Sequence, residues 1–410
     1  MAVEQTSVLH QTIASAARPR RVAASLGAVI FLLQVALGIM LFPIFQDHVP
    51  RALGAGDAWG GILLAAYGLA RFLSETPTGA ISDHIERKFD LLIGLSLFIP
   101  AVALMAVVDV RWVYLPGAAL LGLGTAFFWP ATYAISADLF AESLRGKVVG
   151  FLNVCQLLGF GLGALIGAFL VGGHPRVLMA IAVAVVACSA LPAALGIPRY
   201  RLPHHHADAP RRPPIREVWS LQMGLLCVLV LLATAGPTLI IPAIRPFGTD
   251  HLGVSFTTVT VALIPGVILG GALYIPAGHL ADRAGRMVPF VIGEALVVAG
   301  MLTVSGADSV VVAATGGALI FCGYVFSVPA FISATMDLVP ESHRGTLIGL
   351  TVALTGLGLA IGPGIGGALT ATIGAPATFR VGGIVSAATC AAVLAYARRY
   401  RTPAPSPPHR

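Results

Sequence analysis

The residues best suited to chemistry in this 410-residue chain are charged side chains set at repeated steps. Asp83 stands four residues before Arg87, and Asp282 four before Arg286. Asp138 precedes Arg145 by seven residues, and Asp337 precedes Arg344 by the same interval. Arg71 and Glu75 are one helical turn apart, which puts both on one face where they can neutralise each other. Groups of this kind make and break ion pairs or exchange protons. No nucleophile–base pair, nucleotide-binding loop or metal-ligand cluster accompanies them, so neither an enzyme nor a self-contained ATP-driven pump is expected, and no cofactor or metal.

Apolar sequence must position these charges. Hydrophobic residues make up 57% of the chain and charged residues only 10%, against about 25% charged in a soluble domain. The mean hydropathy of +0.89 says the same: the solvent for most of the chain is lipid. A helix needs about 20 apolar residues to cross the hydrocarbon core. Such runs lie near 24–45, 58–80, 89–108, 112–136, 146–171 and 177–197, and again near 219–243, 256–278, 288–306, 310–335, 346–370 and 378–397. The expected fold is an all-α membrane protein with twelve transmembrane helices. Its expected parts are an N-terminal six-helix bundle over 1–197, a linker over 198–217 and a C-terminal bundle over 218–410. The linker holds His204, His205 and His206, whose adjacency suits a solvated segment rather than a metal site. Cys155, Cys188, Cys227, Cys322 and Cys390 all fall in apolar stretches and are expected to be inert packing residues. The first 22 residues are polar and the next apolar run is a full span in length, so no cleavable signal is expected.

The net charge of +7 does not indicate a nucleic-acid partner, because the basic residues are spread over short loops instead of gathering on one face. They report orientation. With twelve spans, nineteen Lys and Arg residues fall on the side of the termini, five fall opposite (Arg51, Arg111, Arg176, Arg245 and Arg380), and Arg71 lies within a span. Cytoplasmic loops retain Lys and Arg, so both termini and the 198–217 loop are expected in the cytoplasm of a bacterial inner-membrane protein.

The two halves repeat. A shift of 199 residues places Pro77 on Pro276, Gly79 on Gly278, Asp83 on Asp282 and Arg87 on Arg286. The same shift aligns Pro130 with Pro329, Asp138 with Asp337, Glu142 with Glu341, Arg145 with Arg344 and Gly163 with Gly362. One offset across four helices and two loops implies duplicated bundles of equal topology related by an axis along the membrane normal, with a solute path between them near mid-membrane.

The repeated residues resemble the major facilitator superfamily. Its loop between helices 2 and 3 follows Gly-x-x-x-Asp-Arg-x-Gly-Arg-Arg. The first copy here reads Gly79-Ala-Ile-Ser-Asp83-His84-Ile-Glu86-Arg87-Lys88, and the second reads Gly278-His-Leu-Ala-Asp282-Arg283-Ala-Gly285-Arg286. The resemblance covers essentially the whole chain. It implies that Asp83 and Arg87 lock the cytoplasmic side, joined by Asp138 at the end of helix 4, with Arg145, Asp282, Arg286, Asp337 and Arg344 in corresponding roles. Gly79 and Gly278 are expected where two helix ends approach closely. His84 and Glu86 depart from the pattern; a second negative charge and a titratable imidazole make this network weaker or pH-sensitive.

Helix 11 carries Gly358-x-x-x-Gly362-Pro363-x-x-Gly366, similar to the family's antiporter motif, which in exporters belongs in helix 5. Helix 5 here has Gly159 and Gly163 at the matching spacing but Ala164 in place of the Pro. Glycines four apart allow tight helix contact, and packing is the safer reading for both sets. Proton-coupled drug exporters of the family carry an Arg inside helix 4, and this chain has only Arg111 at the edge of that helix.

The family likeness puts helices 1, 4, 7 and 10 around the path. Cavity or coupling candidates are then Gln34, Arg71, Glu75, Trp129, Tyr133, Asn153, Gln156 and Tyr324, with Thr234 and Thr238 in the other half. For each residue alone, packing or interhelical hydrogen bonding competes with a binding role. Charges inside a membrane are costly and mark cavities or ion pairs; for Arg71 and Glu75 a coupling site and a structural pair stand level. Glu294, on a helix peripheral in this family, is expected to snorkel or pair with a neighbour. Aromatic walls with few charges suit an amphipathic or cationic solute. The expected activity is secondary transport of a small organic solute by alternating access, as proton-coupled efflux of drug-like compounds. The alternative is a facilitator or symporter for a sugar or organic anion, with Arg71 as anion binder. The expected partners are the solute, membrane lipid and protons, and the chain is expected to be a monomer.

Overall fold

The computed structural model describes residues 19–82, 85–108, 110–200, 219–338 and 344–400. The chain forms twelve helices there, with no strand among the described residues. We number them α1 (Pro19–Ala52), α2 (Ala58–Ser82), α3 (Arg87–Val107), α4 (Tyr114–Leu139), α5 (Glu142–Leu170), α6 (Pro175–Gly196), α7 (Leu221–His251), α8 (Phe256–Ala284), α9 (Met287–Ser305), α10 (Val310–Asp337), α11 (Arg344–Ile373) and α12 (Ala375–Arg399). Among the described residues eleven spans are apolar and long enough to cross a membrane; α2, 25 residues long, is the remaining helix of the twelve expected.

Apolar sequence can cross lipid only by closing its backbone hydrogen bonds within each segment, which is why every span is a helix. Most of them contain an internal proline, including Pro77, Pro130, Pro276 and Pro329 at equivalent places of the repeat. Neighbouring helices in such bundles re-satisfy the carbonyls that a proline frees. Thr78 of α2, one residue past Pro77, donates to the Ala126 carbonyl of α4 at 2.7 Å.

The chain divides into two compact units. One contains the described residues up to Ile44 and those from Leu69 to Tyr200. The other contains Phe45–Gly68 and the described residues from Trp219 on. Segment 45–68, which the sequence assigns to the first bundle, therefore clusters with the second half of the chain.

Packing inside the units repeats as the sequence does. In the first unit α1 packs on α5 and α6, and α3 on α4 and α6; in the second α7 packs on α11 and α12, and α9 on α10 and α12. One pair of close approaches coincides under the 199-residue shift. A Cβ on Gly94 of α3 would lie 2.7 Å from the Gly124 carbonyl oxygen of α4, and one on Gly293 of α9 would lie 2.6 Å from that of Gly323 of α10. Small residues let helices meet backbone to backbone where lipid supplies no hydrophobic drive. Gly163 of α5 abuts the Val35 carbonyl of α1, and Gly366 of α11 abuts the Leu239 carbonyl of α7.

Two helices run past their expected ends. α1 was expected to stop near 45 and α7 near 243; they reach Ala52 and His251, each finishing in a π-wound stretch (Met40–Ala52 and Phe247–His251). Gln46, Asp47 and His48 look like loop residues but are buried. Their burial is tolerated because partners meet them: Gln46 Nε2 donates to the Gly60 carbonyl at 3.3 Å, and Arg245 Nε donates to Asp47 Oδ1 at 2.9 Å.

Candidate functional site

Within the first unit, the charged residues gather where α2 leads into α3. Arg87 opens α3, Asp138 lies in the last turn of α4, and their side chains meet at 3.8 Å. Tyr200, just beyond α6, donates its hydroxyl to Asp138 Oδ2 at 3.0 Å. Burial, and then the Asp138 charge beside it, push the Tyr200 hydroxyl well above the usual phenol range. Asp138 is thus held from two sides, by a cation at ion-pair distance and by a phenol that stays protonated and donates to it. Sequence reasoning missed Tyr200; the only available signal was an aromatic residue just past the sixth apolar run.

Lys88 has a different task from its place in the loop motif. It is buried, and its ammonium donates to the carbonyls of Ala194 at 2.5 Å and Ile197 at 2.8 Å, capping the C-terminal end of α6. A cation at that end also meets the negative pole of the helix dipole. Arg21 of α1 donates to the Leu195 carbonyl of the same helix end at 2.9 Å.

Asp83 and His84 lie outside the described residues, as do the surroundings of Gly79 and the side chains of Arg145, Asp282, Asp337 and Arg344. The His204–His206 linker is outside them too. Among the described residues, a Cβ on Gly278 would meet nothing within 4 Å. Arg286 lines a small pocket with Gln222, Met287 and Tyr400 in the second unit.

Deeper in α2, Arg71 and Glu75 pair at 3.6 Å, with side chains 16% and 4% exposed. Neither Glu75 oxygen has a hydrogen-bond partner among the described residues, so the guanidinium is its compensation. On α4, Trp129 is buried and stacks on Tyr133 at 5.7 Å and 26°, while Tyr133 is 36% exposed. Gln34 of α1 is buried against Gly159 of α5. Asn153 and Gln156 are half-buried on α5. In the second unit Tyr324 of α10 is exposed. Thr238 of α7 donates to the carbonyls of Thr234 and, across to α11, of Gly358 at 3.3 Å; its hydroxyl serves the helix contact beside Gly362.

Glu294 does not snorkel. It is fully buried, and Ser327 of α10 donates to its Oε1 at 3.0 Å. The Gly293–Gly323 approach brings the serine within reach, a pairing that the sequence left open.

Among the described residues no group of three or more His, Cys, Asp or Glu side chains could hold a metal. The arrangement holds ion pairs between helix turns and ends and presents a stacked aromatic pair.

Comparison with known proteins agrees with this architecture. The family model described as Major Facilitator Superfamily matches residues 24–356 and 227–410. Inner membrane transport protein YajR of Escherichia coli (strain K12) is 24% identical over 382 residues, covering 90% of this chain and 81% of that protein. Multidrug resistance protein 2 of Bacillus subtilis (strain 168) is 22% identical over 354 residues, covering 83% and 86%. The crystal structure of nucleoside transporter NupG matches with a TM-score of 0.72 at 14% identity, covering 92% of this chain and 99% of that one, which speaks for the fold alone.

Proposed function

The chain belongs to the Major Facilitator Superfamily and is a membrane transporter, and we propose that it exports drug-like or amphipathic compounds in exchange for protons. The observation that carries this reading is the stacked Trp129–Tyr133 pair on α4, half open through Tyr133. An aromatic face with no fixed charge binds flat apolar or cationic solutes without specifying one of them. A relative aligned over most of both chains carries the name multidrug resistance protein. Arg71 and Glu75 supply a buried pair whose carboxylate can take a proton when a solute cation leaves and give it up when one binds.

In this reading both termini are cytoplasmic in a bacterial inner membrane, and the protein works as a monomer among lipids. Arg87, Asp138 and Tyr200, together with Asp83 and Arg145 of the same sequence motifs, hold the cytoplasmic ends of α2 to α5 together in one pose. Arg286, Asp282, Asp337 and Arg344 do the same in the second repeat. The glycines of α5 and α11 (Gly159, Gly163, Gly358, Gly362 and Gly366, with Pro363) serve close packing.

Arg71 favours a second reading. It is the one basic residue that the sequence sets inside a span, and a cation in that position suits the acidic group of a small metabolite. Flux of a compound panel in proteoliposomes, with and without a pH gradient, separates the two. Efflux of several unrelated cations that collapses with the gradient is expected. Transport of a single anionic metabolite, indifferent to pH, would replace the export reading by the second.

A further inference from the structure

Between α9, α10 and α12 the second unit encloses an acid that no motif accounts for. Glu294 of α9 is 0% exposed. Ser327 of α10 donates its hydroxyl to Oε1 at 3.0 Å. Oε2 is buried and has no hydrogen-bond partner among the described residues. No cation among them acts on the carboxyl either.

The face around the acid is dry. Phe290, one turn before it, and Val297, one turn after it, are both fully buried. The titratable group that α12 brings near is Cys390, whose thiol donates to the Val291 carbonyl of α9 at 4.0 Å. On α8, the described titratable groups Tyr274, His279 and Arg283 do not act on the carboxyl.

The other repeat shows that the fold does not need this acid. The 199-residue shift puts Glu294 on Leu95, Ser327 on Phe128 and Cys390 on Leu191. Leu95 and Phe128 are 3% and 0% exposed, and the equivalent glycine approach closes that seam between α3 and α4. One seam is thus sealed by apolar side chains, and its counterpart holds a carboxyl and a hydroxyl in the same places. A carboxylate enclosed without a cation carries a large desolvation cost, whereas a neutral acid carries only that of a polar group. The geometry around Glu294 suits the neutral form: one oxygen has a donor and the other has none.

We propose that Glu294 and Ser327 form a proton-binding site of the second unit, occupied while the seam between α9 and α10 is closed. Oε1 is the carbonyl oxygen that accepts from the serine, and Oε2 carries the proton. The proton passes to water only when α9 parts from α10, and water then hydrates the carboxylate left behind. The site is separate from Arg71 and Glu75, which belong to the first unit, and it does not rest on the export reading.

The test uses full-length protein reconstituted in lipid at neutral pH. The infrared difference between the parent and Glu294→Gln reads the state of this one carboxyl. The variant is expected to lose the carbonyl band of a protonated carboxylic acid; loss of carboxylate bands instead overturns the site. Ser327→Ala is expected to move the acid band to higher wavenumber, because the carbonyl oxygen loses its donor. An unmoved band overturns the pairing, and this variant decides alone should Glu294→Gln fail to insert. On transfer to heavy water the parent's band is expected to shift more slowly than exchange of an exposed carboxyl allows. A shift complete within the mixing time overturns the enclosure.

Discussion

Where α2 leads into α3, Arg87 meets Asp138 at 3.8 Å with side chains 21% and 16% exposed. Where α1 leads into α2, Arg245 meets Asp47 at 2.9 Å and Asp57 at 3.0 Å and is 4% exposed. The first cluster has a counterpart in the repeat, in Arg286 and Asp337; the second has none. A partly hydrated pair contributes little, about 0–1 kcal/mol, and can part at little cost. A dry pair contributes little net stability either, yet stripping one partner from it costs about 3–5 kcal/mol because the other charge is left unmatched. The difference teaches that a motif in the sequence does not mark the most enclosed charge: Arg245 and Asp47 are drier than Arg87 and Asp138.

The largest effect expected from breaking this contrast is in Arg245→Ala. Removing the guanidinium leaves Asp47 only the exposed Arg51 and lowers stability by up to about 3–5 kcal/mol, read as a fall in the thermal midpoint of detergent-solubilised protein. A loss no larger than that of Arg87→Ala would erase the distinction. Next is Tyr200→Phe, which takes a hydrogen bond from a carboxylate and is expected to cost about 1.5 kcal/mol. The same residue gives a pH signature. Its neutral form is favoured by the fold, so the stabilisation is complete below the ordinary phenol range of about 10 and is lost as pH rises through the raised value. The absorbance difference between the parent and Tyr200→Phe is accordingly expected to show no tyrosinate step near pH 10; a step there would mean that Tyr200 is hydrated. Arg87→Ala should cost at most about 1 kcal/mol in stability, with its stronger effect on transport rate. Smallest is His84→Gln, expected to move the pH midpoint of transport without changing its maximum, and an unmoved midpoint would take His84 out of the network.

Much of the fold was legible. Hydropathy separated twelve apolar runs because lipid forbids any other spanning structure in a chain of this kind. The constant 199-residue offset foretold that packing would repeat; the equivalent approaches of Gly94 to Gly124 and Gly293 to Gly323 came only from the structure. Helix ends were less legible. Gln46, Asp47 and His48 are polar, and nothing local says that Arg245, almost 200 residues away, keeps them in a helix. Of the site, the Arg71–Glu75 pair follows from spacing alone, since both groups sit on one helix. Tyr200 and the second task of Lys88 do not, since each depends on where α6 ends in space.

Composition and periodicity determined that this chain is a duplicated bundle of membrane helices, because those properties depend on each segment's contact with lipid and its own backbone. Only the tertiary structure decided which charges share a carboxylate and which glycines are filled by a neighbour. Those outcomes depend on distances between segments remote in the chain, and a charge costs little or much according to the water left around it, which one-dimensional order does not carry.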